Sequence, residues 1–408
     1  MELPELLAPA GNLKKLKIAL DYGADAVYCG GKNFGLRARA DNFDRSEIER
    51  AVEYAHQREK KVYVTANILP HNNHLQKIVD YLSFLEEADV DGVIVSDPGV
   101  IYLIEENNID VPLHLSTQAS TVNWAGARFW SERGLKRIIL ARELSRTEIK
   151  EIIKKSDVEV EIFIHGAMCI SYSGRCLLSS YMTGRDANVG DCAQPCRWKY
   201  KLVEEERPGE YFPITQDKHG TYILNSRDLN LLSRLPEVIE LGVDSIKIEG
   251  RMKSVNYVAT VTSVYRAALD EFARSPEEYV IRERWQKELN KISHRPYTEG
   301  FFDGDPGEEG QNYKSSSYIR PYRFLGIVQG YLPEAELAIV KVKNKFSPGD
   351  EVEIFGPGCR VIRQKVEKIY DAEGNEIEAA RHPESTVKME VNEEIGENYI
   401  IRREKDES

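Results

Sequence analysis

Four cysteines crowd into one 28-residue window of this 408-residue chain: Cys169, Cys176, Cys192 and Cys196, spaced C-x6-C-x15-C-x3-C. Cys29 and Cys359 stand far from them. Thiols gathered this closely repel one another once ionised, so a cation that holds them together is the natural explanation, and thiolates suit zinc and iron–sulfur centres alike. A structural zinc site usually shows two close pairs, and only Cys192 and Cys196 are close here. The three-cysteine C-x3-C-x2-C pattern of radical enzymes is missing. The plainer reading, four buried cysteines acting as small hydrophobes, conflicts with their neighbours: Arg175, Arg185, Asp191, Gln194 and Arg197 make a polar loop, and Gly174, Gly184 and Gly190 allow tight turns. Spacing alone leaves zinc and iron–sulfur open.

Just before the first of these cysteines, the apolar run Glu161–Ile164 ends in His165-Gly166. An imidazole at a strand's end can move protons or donate a hydrogen bond. Other polar residues recur just past strand ends: Lys32, Arg37 and Arg39; Asn67; Ser96 and Asp97; Ser116 and Gln118; Arg142; then Lys247, Glu249, Arg251 and Lys253. On one rim, those Lys and Arg residues would focus potential toward an anion, and Arg is suited to gripping carboxylate or phosphate. His71 and His74 lack the context of a metal pair and read as a polar loop, and Asp228 reads as a helix cap. No Gly-x-Ser-x-Gly elbow and no His-Glu-x-x-His occurs.

The elements that must carry these residues alternate. Short β-rich runs fall at Leu6–Ala8, Ala26–Cys29, Val62–Ala66, Gly92–Ser96, Leu113–Ser116, Arg137–Ala141, Val158–His165 and Ser245–Glu249. Amphipathic helical stretches such as Leu13–Tyr22, Arg45–Arg58 and Asn256–Phe272 lie between them. Eight strands separated by helices predict an α/β fold, a parallel (β/α)8 TIM-like barrel over residues 1–302. No Gly-x-Gly-x-x-Gly follows the first strand, which counts against a doubly wound sheet. The long stretch between the seventh and eighth strands predicts a Cys-containing insertion over about 166–220. The Gly-rich, aperiodic segment from Asp303 predicts a linker over 303–320, and short strands punctuated by turns predict a small all-β barrel module over 321–403.

A formal net charge of -12 argues against a nonspecific basic coat for nucleic acid. No run approaches a membrane span, and the N-terminus resembles no secretion signal. The expectation is a cytoplasmic chain with reduced thiols and no membrane partner.

Several motifs together carry a resemblance. Glu161-x-Phe163-x-His165-Gly166-Ala167-Met168-Cys169, Ser173-Gly174-Arg175-Cys176, Cys192-x3-Cys196, Leu7–Gly11 and Lys247-Ile248-Glu249-Gly250-Arg251 resemble the signature of the collagenase-like peptidase family U-32. The family's name implies proteolysis. The architecture is most similar to members that hydroxylate the wobble uridine of tRNA to 5-hydroxyuridine by a prephenate-dependent route. That resemblance implies an iron–sulfur cluster, 4Fe-4S, on Cys169, Cys176, Cys192 and Cys196, with zinc as the alternative. From their place past the strand ends, His165, Glu249 and Arg251 are read as the catalytic candidates and Lys32, Arg37, Arg39, Asn67, Gln118, Arg142 and Lys247 as substrate contacts; the resemblance further implies tRNA and an anionic small molecule as partners. A metal-dependent peptidase, or a non-catalytic partner of a second family member, are the competing readings.

Overall fold

A computed structural model describes residues 3–35, 41–168, 178–185, 187, 190–195, 216–217, 220–221, 226–306 and 318–405. The chain divides into two compact units: residues 1–20, 24–253 and 295–318 form the first, and 21–23, 254–294 and 319–408 the second.

The first unit is a closed parallel barrel. Its strands are β1 (Glu5–Pro9), β2 (Ala26–Gly30), β3 (Lys61–Ala66), β4 (Gly92–Val95), β5 (Leu113–Leu115), β6 (Arg137–Ile139) and β7 (Glu159–Ala167). The eighth barrel strand, β11 (Ser245–Ile248), pairs with both β7 and β1 and closes the ring. Helices α1 (Leu13–Asp21), α2 (Arg45–His56), α3 (Leu75–Glu87), α4 (Pro98–Glu106), α5 (Trp124–Ser131) and α6 (Arg146–Lys155) follow the first six strands in turn. Each expected strand is present, with ends shifted by a residue or two. The first helices begin where side chains take up their orphan N–H groups: Asp44, Asp97, Asn123 and Ser145 cap α2, α4, α5 and α6.

A repeated turn sets the start of the second, fourth and eighth barrel strands. Asp25, Asp91 and Asp244 each stand at a strand's entrance. Each accepts the backbone N–H of the neighbouring strand, from Leu6 at 3.0 Å, Val62 at 2.8 Å and Val160 at 2.7 Å. A carboxylate on a backbone donor makes a charge-assisted bond. The device therefore fixes register on the barrel's amino-terminal side.

Between β7 and β11 the chain forms α7 (Leu178–Thr183), a hairpin of β8 (Gln216–Asp217) and β9 (Gly220–Thr221), then β10 (Asp228–Asn230) and α8 (Leu235–Glu240). Sequence patterning missed β10. It runs antiparallel to the end of β7, setting Asn230 against His165, and a further strand, β12 (Tyr297–Thr298), pairs with it. Asp228 lies in β10 and caps no helix, which corrects that expectation.

The second unit contains α9 (Val255–Arg274), α10 (Glu283–Lys291) and a seven-stranded antiparallel sheet. Its strands are β13 (Tyr322–Leu332), β14 (Leu337–Val342), β15 (Glu351–Gly356), β16 (Arg360–Lys365), β17 (Ile369–Tyr370), β18 (Thr386–Glu390) and β19 (Ile400–Glu404). The sheet curls around a core that includes Leu325, Val340, Phe346, Ile354, Met389 and Ile401. Backbone pairing among the described residues leaves β16 and β17 as edges. The Gln364 side chain of β16 donates to Glu390 O at 2.8 Å and accepts from Asn392 N at 3.1 Å, tying that edge to the end of β18.

Candidate active site at the barrel mouth

Alternation along the strands fills the barrel in layers. The lowest is ionic. Arg137 lies 2.6 Å from Glu5, 2.8 Å from Glu159 and 3.4 Å from Glu161. Lys247 Nζ is 2.7 Å from the other Glu161 oxygen and 4.2 Å from the centre of the Tyr28 ring. Tyr63 donates to Glu5 at 2.8 Å, and Ser245 does so at 3.2 Å. The His114 ring meets Tyr63 edge-on at 4.6 Å. Burial pushes the Lys247 ammonium below its usual pKa while Glu161 works in the opposite sense. Lys247, read from sequence as a rim cation, thus points its charge into the barrel interior toward Glu161.

Above this layer the carboxyl ends of the strands are polar. Asn67 donates to Ser116 Oγ at 3.1 Å, Ser116 donates to Gln118 Oε1 at 3.0 Å, and Ser96 donates to the Asn67 carbonyl at 3.1 Å. All four are buried, so the chain of hydroxyls and amides fixes their orientation. Across the mouth, Arg142 Nη2 donates to Glu249 Oε2 at 3.2 Å while its guanidinium lies 3.7 Å from the centre of the Phe163 ring. Burial raises the carboxyl pKa of the adjacent Glu143.

Arg251 is 4% exposed, and its Nη1 donates to Thr65 at 3.2 Å. A Cβ on Gly30 would sit 2.1 Å from that nitrogen, and one on Gly11 would sit 2.3 Å from the Arg251 carbonyl oxygen. Lys15 also donates to that carbonyl at 3.4 Å. His165, 1% exposed, faces Tyr297 with ring centres 5.3 Å apart, and its carbonyl accepts Glu249 N at 2.9 Å. Gly166 follows it at φ +112°, a conformation open to glycine, where β7 changes partner from β11 to β10.

The mouth therefore gathers Asn67, Gln118, Arg142, His165, Glu249 and Arg251 at the strands' carboxyl ends. Lys32, two residues past the end of β2, is exposed and 3.1 Å from Asp44, in a groove of about 650 Å³ that Phe34, Arg45, His74 and Tyr81 help to line. Arg37, Arg39, Cys169, Cys176 and Cys196 lie outside the described residues. Cys192 is described: it is half-buried, and its sulfur accepts Gln194 N–H at 3.3 Å beside an Arg185–Asp191 ion pair of 2.9 Å. Sequence reasoning missed the buried pair of Asp228 and Arg295 at 2.9 Å, because the partner is 67 residues away and β12 is only two residues long.

Comparison with known proteins places this arrangement. The model of peptidase family U32 matches residues 11–312, and the model of that family's C-terminal domain matches 320–402. The chain belongs to peptidase family U32. Within the family it is 46% identical to tRNA hydroxylation protein P1 of Bacillus subtilis over 402 residues, covering 98% of this chain and 95% of that one. It is 39% identical to tRNA hydroxylation protein P of Escherichia coli over 440 residues, covering 98% and 96%. It is also 33% identical to the Escherichia coli 23S rRNA 5-hydroxycytidine C2501 synthase over 395 residues, covering 93% of this chain and 57% of that protein. Among the described residues of this U32 chain, no helix is long and apolar enough to cross a membrane.

Proposed function

We propose that this chain hydroxylates RNA, with tRNA as the substrate and the wobble uridine as the base, replacing C5–H with C5–OH. The observation that carries the reading is the polar mouth of Arg142, Glu249, Arg251, His165, Asn67 and Gln118, most of it buried and hydrogen-bonded, in a chain similar along almost its whole length to tRNA hydroxylation proteins. Asn67 and Gln118 offer amide groups suited to the edges of a base. Arg142 and Arg251 offer guanidinium groups to an acidic co-substrate, prephenate in this reading, whose two carboxylates match two such forks. His165 is suited to move a proton at the end of β7. The tRNA substrate would place the chain in the cytoplasm.

The proposal includes a 4Fe-4S cluster on Cys169, Cys176, Cys192 and Cys196, with zinc as the alternative. The N–H to sulfur bond at Cys192 supports the fit, since metal-bound sulfur commonly accepts such bonds. Replacing C5–H with C5–OH is a two-electron oxidation that needs an oxygen source and an electron acceptor; the cluster would supply a path for those electrons, which peptide hydrolysis does not need.

The test is deletion of the gene in a host without paralogues, followed by mass spectrometry of nucleosides from total tRNA. Derivatives of 5-hydroxyuridine disappear, return with the wild-type gene and stay absent with Arg251→Ala, while gelatin cleavage does not change. A full complement of these nucleosides in the deletion strain refutes the assignment and favours the peptidase or partner-subunit readings. Protein purified without oxygen is brown and holds about four irons per chain. Colourless protein with one zinc replaces the cluster by the alternative.

A further inference from the structure

Helix α5 differs from an ordinary outer helix of a barrel. Of its eight residues, Trp-Ala-Gly-Ala-Arg-Phe-Trp-Ser, only Ala127 is buried. Trp124 is 37% exposed and Phe129 45%. The next helix, α6, packs beside it and presents Arg146, Glu148, Lys150, Glu151, Lys154 and Lys155 outward, as a solvated face should.

Cations lie on these exposed rings. The Arg133 guanidinium is 3.6 Å from the centre of the Phe129 ring, and Lys155 Nζ is 5.0 Å from that of Trp124. Trp130 meets Phe129 edge-on at 5.1 Å. Among the exposed residues from Trp124 to Lys155, seven Lys or Arg stand against three Glu, a local reversal in a protein of net charge -12; Arg137 and Arg142 of the same stretch turn into the barrel and its mouth. Arg133, Lys150 and Lys154 have no acidic partner within ion-pair distance among the described residues. Trp124 opens α5 six residues after Gln118, in the segment that leaves the carboxyl end of β5. The aromatic face therefore begins at the end of the barrel that holds the mouth.

We propose that the outer face of α5 is an RNA-docking surface, on which unpaired nucleotides of the substrate stack against Trp124 and Phe129 while Arg133, Lys150 and Lys154 meet phosphates. This rests on the RNA-hydroxylation reading and extends it to a second surface. Bases stack on any exposed ring, Arg planes add to the stack, and single-stranded loops are where such stacking operates. A protein partner would also accept the aromatic residues. The excess of unpaired positive charge favours a polyanion.

The experiment measures binding of an unmodified tRNA transcript to the full-length protein over a range of salt. Trp124→Ala and Phe129→Ala each weaken binding by about tenfold. Phe129→Tyr, which keeps the ring, binds as wild type does. Lys150→Ala and Lys154→Ala each lower the slope of log affinity against log salt by about one. Because these side chains are exposed, every variant should melt within a few degrees of wild type, and the melt checks that loss of binding is not loss of fold. Alanine variants that bind as tightly as wild type overturn the proposal while leaving RNA hydroxylation standing. Wild-type protein that binds no transcript removes both. A wild-type dimer in sedimentation that Phe129→Ala dissociates, with RNA affinity unchanged, assigns the face to a second copy and also overturns it.

Discussion

Arg251 shows how two distant motifs become one site. The run Leu7–Gly11 leaves β1 and the run Lys247–Arg251 leaves β11, and these strands are neighbours in register, Leu7 against Lys247. Their following turns therefore meet, and the Arg251 carbonyl occupies the space a Gly11 side chain would need. On the other side, Gly30 leaves room for the guanidinium, which Thr65 holds. Gly30→Ala puts a methyl group on Nη1. With Arg251 buried and hydrogen-bonded, the guanidinium must shift by an ångström or more. Such a displacement of a positioned group costs on the order of a hundredfold in rate. We expect hydroxylated nucleosides to fall to trace levels in a strain carrying Gly30→Ala, with the thermal midpoint of the purified protein close to wild type. Near-normal nucleosides would mean that the guanidinium's position is unimportant. The sequence marked Arg251 through its place after the eighth strand, but nothing near Gly30 hinted that its neighbour lies 221 residues later.

At the scale of elements, what was legible followed from periodicity. All eight barrel strands showed, with α1, α2 and α9 among the helices, because apolar runs and turns repeat. β10, β12 and β17 lie outside the strand–turn–helix repeat that marks the similarly short β5 and β6, so they have no pattern to read. The inward direction of Lys247 was present in the alternation Ser245-x-Lys247-x-Glu249, yet proximity to the strand's end suggested the rim. A second hidden feature joins α10 to the sheet of the C-terminal unit. Arg402 of β19, fully buried, bonds Glu353 of β15 at 2.9 Å and also Glu288 of α10, while Lys291 of α10 lies 2.7 Å from Glu288 and 2.8 Å from Glu353. Burial alone would raise the Glu353 carboxyl pKa, but the bonds from Lys291 and Arg402 outweigh it and the net direction is down. Arg402→Met leaves two buried carboxylates with a single buried cation between them. Losing one partner of such a set costs about 3–5 kcal/mol. Urea denaturation of the full chain should show the transition of the C-terminal unit moved to lower concentration. An unchanged midpoint would mean that water already screens the cluster. Charge content predicts none of this, because ion pairs between α10, β15 and β19 form only when 114 residues of separation are closed.

For the whole molecule, the interior of the barrel sets a pH limit that composition does not reveal. Net charge describes the surface, whereas the charges that matter to folding are enclosed: Glu5, Arg137, Glu161 and Lys247 balance one another beside His114. His114 is 2% exposed, and its pKa is held well below the ordinary value of 6.5, first by burial and then by Arg137, Lys247 and two further lysines. Its Nδ1 finds no hydrogen-bond partner among the described residues, so a proton there would add a charge with nothing to receive it. The sign follows from linkage. Above 6.5 the imidazole is neutral in folded and unfolded chains, and stability is fully present. As pH falls below 6.5 the unfolded chain takes up a proton that the folded one refuses, and stability declines by up to about 1.4 kcal/mol per pH unit. The urea midpoint of the barrel transition should therefore drop between pH 7.5 and pH 5.5. His114→Gln, which cannot take up that proton, should reduce the drop even if it lowers the midpoint at pH 7.5, because lost packing against Tyr63 acts equally at both values. An equal drop in the variant would assign the acid sensitivity to other groups and leave His114 as a packed ring without a titrating role.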